Sequence, residues 1–229
     1  ITKFKTGSQW KPGLKICQQF CDNFFDMKAT NGKSFNSVKS TYEEMDKIRL
    51  WGLEKMSALY VSWIRRAIYM RWGGHNPTYY RPHLAKQIIL STNKSSGILF
   101  DPCAGWGGRM LGAWALGIDY TGIDTNTNMK PAYDSMIDVL DNKTPAIFEK
   151  PNLQMIWQSA LDVDFSKLDY DFVLTSPPYV NLEIYEHMEP WESDEKFYTE
   201  FFIPLWQKCI DNIKQGGTIC FNISPKMYD

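Results

Sequence analysis

The chain has 229 residues, 44% of them hydrophobic and 22% charged, with a net charge of −1, which suits one ordinary core with an appended subdomain. Its apolar runs are all shorter than the roughly 18 to 20 residues of a membrane span, and the opening ITKFKTGSQW lacks the apolar core of a secretion signal. A soluble, cytoplasmic protein is expected, or one of the nucleus or host-cell interior if the source is eukaryotic or viral. The near-zero charge hides an asymmetry: residues 1–100 hold 16 Lys and Arg against 6 Asp and Glu, and residues 101–229 hold 9 against 20. A footprint for a polyanion therefore belongs to the N-terminal part, where Arg65, Arg66, Arg71, Arg81, Lys86 and Lys94 cluster; the alternative is a basic subdomain docked on an acidic one.

In chain order, Pro12-Gly13 and the Asn31-Gly32 turn bracket a short helix over Leu14 to Met27. Cys17 and Cys21 lie one helical turn apart in it, but no second Cys or His pair is close, so neither a metal nor a disulfide is expected of the 5 cysteines. Thr41 and Glu44 read as a capping box, and Met45, Ile48, Leu53, Met56, Leu59, Tyr60, Trp63 and Ile64 recur at helical spacing, one long helix or two broken at Gly52. Residues 1–74 thus form a basic, mainly helical segment, in which Trp51, Trp63 and Trp72 are expected to pack rather than to stack on bases.

From residue 75 strands and helices alternate. Helices are expected over Arg81 to Leu90, Arg109 to Leu116 and Met129 to Leu140, and from Asp194 to Ile213 with a bend or split at Pro204. Strands are expected at Ile98 to Phe100, Tyr120 to Ile123, Gln154 to Trp157, Phe172 to Thr175 and Thr218 to Ile223. Short apolar strands alternating with helices imply a Rossmann-like α/β domain over 75–229, doubly wound around a mostly parallel sheet, with ligands beyond the carboxyl ends of the strands.

Two strand ends carry chemistry. DPCAGWGGR follows the first strand and opens a helix; Gly105, Gly107 and Gly108 allow a tight turn and a close approach by a ligand. The second strand ends in Asp124, 23 residues after Asp101, about where an acidic residue holds ribose hydroxyls in doubly wound nucleotide sites. No Lys-Ser or Lys-Thr follows the glycines, so a ligand with a ribose but no required phosphate fits better. The fourth strand ends in TSPPY, where Pro177 and Pro178 lack N–H groups and fix φ, giving a rigid rim.

DPCAGWGGR together with TSPPY resembles the paired signature of the S-adenosylmethionine-dependent DNA amino-methyltransferases, which make N6-methyladenine or N4-methylcytosine. Cys103 stands where that family commonly has Phe, and HNPTYYRPHLAKQII resembles the family's cofactor-side helix motif with Asn76 inserted. The likeness spans His75 to Ile223 and leaves 1–74 unexplained. It implies the class I methyltransferase core with S-adenosylmethionine as cofactor: Asp101, Pro102, Cys103, Ala104, Gly105 and Gly107 around its methionine part, Asp124 on the ribose, and Ser159 at the adenine edge with Asp162 as competitor.

An exocyclic amine is a poor nucleophile because its lone pair is delocalised into the ring. Two acceptors aimed at its N–H bonds favour a tetrahedral nitrogen, and the resemblance supplies them as the Ser176 side chain and the Pro177 carbonyl, braced by Pro178. Base flipping brings the target to this corner, and Tyr179 stacks on it. Cytosine C5 chemistry would need a thiol nucleophile, and Pro102-Cys103 sits in the glycine turn, away from the base-binding strand. Asn181, Tyr185 and Trp191, in the acidic, aromatic stretch Val180 to Phe202, are expected near the base.

The family's sheet continues beyond its fifth strand, yet this chain ends six residues after Ile223 and lacks an initial Met. It is therefore expected to be a piece of a longer polypeptide, or to be completed by its N-terminal segment or another chain. The function expected is DNA methylation of restriction-modification type, N4-cytosine ahead of N6-adenine by a family tendency for Ser at the Ser176 position. An RNA base amine as substrate, or a non-catalytic nucleic-acid-binding subunit, are the alternatives.

Overall fold

The computed structural model describes residues 13–21, 79–92, 97–147, 149–180, 190–224 and 227. The expected helices over 41–64, the tryptophans at 51, 63 and 72, and Arg65, Arg66, Arg71, Lys94, Asn181 and Tyr185 lie outside the described residues. The chain divides into two compact units, Ile1–Cys21 with Tyr79–Tyr179 and Trp191–Asp229 in one, and Asp22–Thr78 with Val180–Pro190 in the other. The sheet belongs to the first.

Five strands make that sheet: β1 (Ile98–Asp101), β2 (Asp119–Asp124), β3 (Leu153–Trp157), β4 (Phe172–Thr175) and β5 (Thr218–Phe221). They lie in the order β3-β2-β1-β4-β5, and every pairing is parallel. This is the expected doubly wound arrangement. Its order reverses between β1 and β4, so the carboxyl ends of those two strands border the crevice where such sheets bind ligands. Both strands are apolar and almost wholly buried, as parallel strands covered on two faces require.

Helices cover the sheet as α1 (Leu14–Phe20), α2 (Pro82–Ser91), α3 (Gly108–Trp114), α4 (Lys130–Lys143), α5 (Asp194–Phe197) and α6 (Ile203–Asn212). Arg81 is extended and Pro82 occupies the first turn of α2, as the restriction on residues before proline dictates. The chain at Tyr80 lies against the start of α3 so closely that a Cβ on Gly108 would stand 2.0 Å from the Tyr80 carbonyl oxygen. The long helix expected from Asp194 is interrupted by a wide π turn over Tyr198–Phe202 before α6 begins. Pro204, with no N–H to return to the carbonyl of Glu200, accounts for the wider spacing.

One core cluster joins Phe100, Ile123, Phe165, Tyr170, Val173, Leu205 and Cys209 under the β1–β4 half of the sheet. Phe100 meets Phe165 edge-on at 4.8 Å and Tyr170 at 4.6 Å. Burying each such side chain stabilises the fold by roughly 1.5–3 kcal/mol. Lys208, on α6, folds its ammonium over Phe165 and donates to the carbonyls of Ala160 (3.1 Å), Leu161 (2.6 Å) and Val163 (2.7 Å), so one charge organises the loop after β3. No described helix is long and apolar enough to cross a membrane.

Candidate active site at the carboxyl ends of the strands

The turn after β1 is built on a buried ion pair. Asp101 is wholly enclosed, and both of its oxygens are taken: Oδ2 accepts from Arg109 Nε at 2.7 Å and from Tyr120 Oη at 2.9 Å, and Oδ1 accepts from Thr175 Oγ1 at 2.8 Å. Arg109, itself 3% exposed, also donates to the carbonyls of Cys103 and Ala104 and lies 4.7 Å over the Tyr80 ring. Burial opposes its charge, but the charge of Asp101, the hydrogen bond to it and the nearby Tyr120 and Tyr80 together outweigh burial and keep the guanidinium protonated. Asp101 thus reaches a ligand only through the groups it positions; it shapes the turn from beneath.

Gly105 and Gly107 adopt φ of 61° and 74°, left-handed backbone that explains both glycines. Nothing lies within 4 Å of where a Gly105 Cβ would stand, so the turn opens onto free space. Asp124, at the end of β2, borders that space: its Oδ2 accepts from Gly105 N–H at 2.8 Å and its Oδ1 from Asn126 N–H at 2.9 Å. Desolvation raises its pKa above the ordinary carboxylate value, and these two N–H groups oppose the rise. Ala104 N–H bonds to the Ile123 carbonyl at 2.9 Å, and Tyr133 Oη caps the Gly105 carbonyl at 3.1 Å. An open glycine turn beside a partly exposed carboxylate on the adjoining strand fits a ribose-bearing cofactor. At the third strand end, Ser159 accepts from Leu161 N–H at 3.2 Å in a small turn, and Asp162 is exposed.

β4 brings the second motif against the first. Thr175 Oγ1, which donates to Asp101, accepts from Cys103 N–H at 3.1 Å. The double-proline corner and the glycine turn are therefore separated by a single side chain. Pro177 is buried, whereas Ser176, Pro178 and Tyr179 are partly exposed. Ser176 Oγ and Tyr179 Oη are 2.7 Å apart, and Asn222, just past β5, donates through Nδ2 to both. The next residue, Val180, has φ of 50°, strained for a β-branched side chain.

Cys103 lies nearer β4 than its place in the sequence implies, with its N–H bonded to Thr175. Burial and the carboxylates of Asp101 and Asp124 raise its thiol pKa, so it stays protonated and is a poor nucleophile. Trp191 packs against Phe197 at 5.6 Å and Phe201 at 6.0 Å in an aromatic cluster. The motif reading gives no role to three contributors: Asn222, a polar residue past β5, Thr175, which stands inside TSPPY, and Tyr80, whose buried hydroxyl has no hydrogen-bond partner among the described residues and whose pKa burial pushes up to about 12. The readable signal was a charge, Arg109, inside an otherwise apolar helix.

No family model matches this sequence, and no curated protein does. Among solved structures the chain is similar to an rRNA methylase from Streptococcus thermophilus (14% identity over 66% of this chain and 75% of that one, TM-score 0.44). It is similar to the same degree to a precorrin 8w decarboxylase from Methanobacterium thermoautotrophicum (14%, 66% and 68%, TM-score 0.44). A glycopeptide N-methyltransferase is more distant (16%, 61% and 52%, TM-score 0.38). At such distances the chemistry has to be read from this chain's own residues.

Proposed function

We propose that this chain is an S-adenosylmethionine-dependent methyltransferase acting on the exocyclic amine of a nucleobase, with DNA the polymer to which the motif resemblance points. The observation that carries this reading is the side chain of Thr175, bonded at once to Asp101 and to the Cys103 N–H, which puts the cofactor-type turn and the Ser-Pro-Pro-Tyr corner at adjoining strand ends.

The cofactor supplies an activated methyl group when bound. The turn Pro102 to Gly107 receives its methionine part, Asp124 its ribose, and the loop at Ser159 and Asp162 its adenine. Ser176 Oγ and the Pro177 carbonyl accept the two amine N–H bonds and draw the nitrogen towards tetrahedral geometry. The nitrogen would gain the methyl carbon as the cofactor's methyl–sulfur bond breaks, with that electron pair left on the sulfur of a neutral thioether, and would release one proton to water. Tyr179 stacks on the extruded base, a contact worth about 1–3 kcal/mol. Ser176, in the place where a carboxylate also occurs in the resembling family, favours N4-cytosine over N6-adenine.

The test is incubation of the protein with labelled cofactor and, separately, duplex DNA and RNA, followed by nucleoside mass spectrometry. N4-methylcytosine or N6-methyladenine from DNA is expected. The same amines labelled only in RNA would move the reading to an RNA enzyme, and 5-methylcytosine or methylated ribose would overturn it.

A further inference from the structure

We propose that Asn222 is a positioning residue that holds the Ser176 hydroxyl oxygen in place towards the substrate amine; this inference rests on the function proposed above. Three polar atoms from two strand ends form a closed triangle. Asn222 Nδ2 lies 3.1 Å from Ser176 Oγ and also donates to Tyr179 Oη, and the two hydroxyl oxygens are 2.7 Å apart. Backbone pairing holds the triangle together, since Asn222 N–H bonds to the Thr175 carbonyl at 2.8 Å, one residue before Ser176.

A serine hydroxyl has one proton and two lone pairs. Asn222 occupies one lone pair of Ser176. The 2.7 Å contact with Tyr179 then takes either the Ser176 proton or its second lone pair. In the first case one lone pair remains for the amine N–H; in the second, Ser176 can only donate, and a substrate amine meets a proton instead of an acceptor. The amide of Asn222, by donating to both oxygens, does not set this direction but fixes where the two hydroxyl oxygens stand. Losing it would free a lone pair but remove the constraint on the Ser176 rotamer, so the oxygen would no longer be held towards the amine N–H. Asn222 touches Ser176 and not the reacting nitrogen, so its effect passes through the serine.

Asn222 is exposed, and its backbone bond to Thr175 survives substitution, so Asn222→Leu and Asn222→Ala should fold. The experiment is a double-mutant cycle of each with Ser176→Ala on methyl transfer to the base identified above, with cofactor Kd and thermal unfolding measured alongside. Expected are a kcat about tenfold lower in either Asn222 variant, unchanged cofactor Kd and Tm, and no further loss when the change is added to Ser176→Ala. Additive losses, an unchanged kcat, or unfolding of both Asn222 variants would overturn the role of Asn222. A Ser176→Ala variant with undiminished kcat would instead overturn the proposed function, so the two failures are distinguishable.

Discussion

The two sides of the crevice are held by different physics. Beneath the β1 turn, Asp101, Arg109, Tyr120 and Thr175 form a network shut off from solvent, with every Asp101 oxygen occupied. At the ends of β4 and β5, Ser176, Tyr179 and Asn222 are bonded to one another while partly or fully exposed. Water weakens bonds of the second kind, whereas a low-dielectric surround strengthens the first. The glycine turn is thus preformed, and the serine corner is free to readjust, as the proposed function would require of a site that receives a base.

Breaking the buried side should cost most. Arg109→Met leaves the Asp101 charge enclosed without its partner and should lower stability by about 3–5 kcal/mol, read from the denaturant midpoint. Breaking the exposed side should spare stability and strike turnover: Ser176→Ala should reduce kcat about 10²- to 10³-fold with the cofactor Kd unchanged. Asp124→Ala should show the opposite split, a cofactor Kd raised roughly tenfold or more by calorimetry, and equal binding by the two proteins would remove the ribose assignment.

Asp124 also sharpens the contrast through pH. Its folded pKa lies above the unfolded value, so its ionisation lowers stability as pH rises from the ordinary carboxylate range to the raised value. Cofactor affinity should fall as pH drops through that raised value, and both slopes should vanish in Asp124→Asn. Lys208→Met, which strips the loop after β3 of its three carbonyl contacts, should cost about 1–3 kcal/mol. The smallest effect is expected of Cys103→Ala: a protonated thiol that takes no part in the reaction leaves kcat unchanged, and loss of turnover with the fold intact would reopen C5 chemistry.

Much of this frame was legible in the chain itself. The strands announce themselves as short apolar runs, their alternation with helices implies parallel order, and glycines and prolines mark where β1 and β4 stop. From α2 onward element ends moved by at most three residues, whereas the first helix, expected to run to Met27, stops at Phe20; caps and pairing partners decide such ends, as where the last strand stops at Phe221 and Asn222 turns its side chain to Ser176. A bend or split was expected at Pro204; the interruption lies just before it, over Tyr198–Phe202, and its π form was not foreseen, since that depends on how the missing N–H is accommodated.

What the sequence determined alone is local: which segments are strands, where the backbone must turn, and which residue types stand at each strand end. Only the tertiary structure decided that Asp101 is spent within the protein, that Thr175 joins the two motifs and that Asn222 reaches the serine. These are pairings of residues 46 to 74 positions apart or held by burial, and periodicity carries no information about such distances.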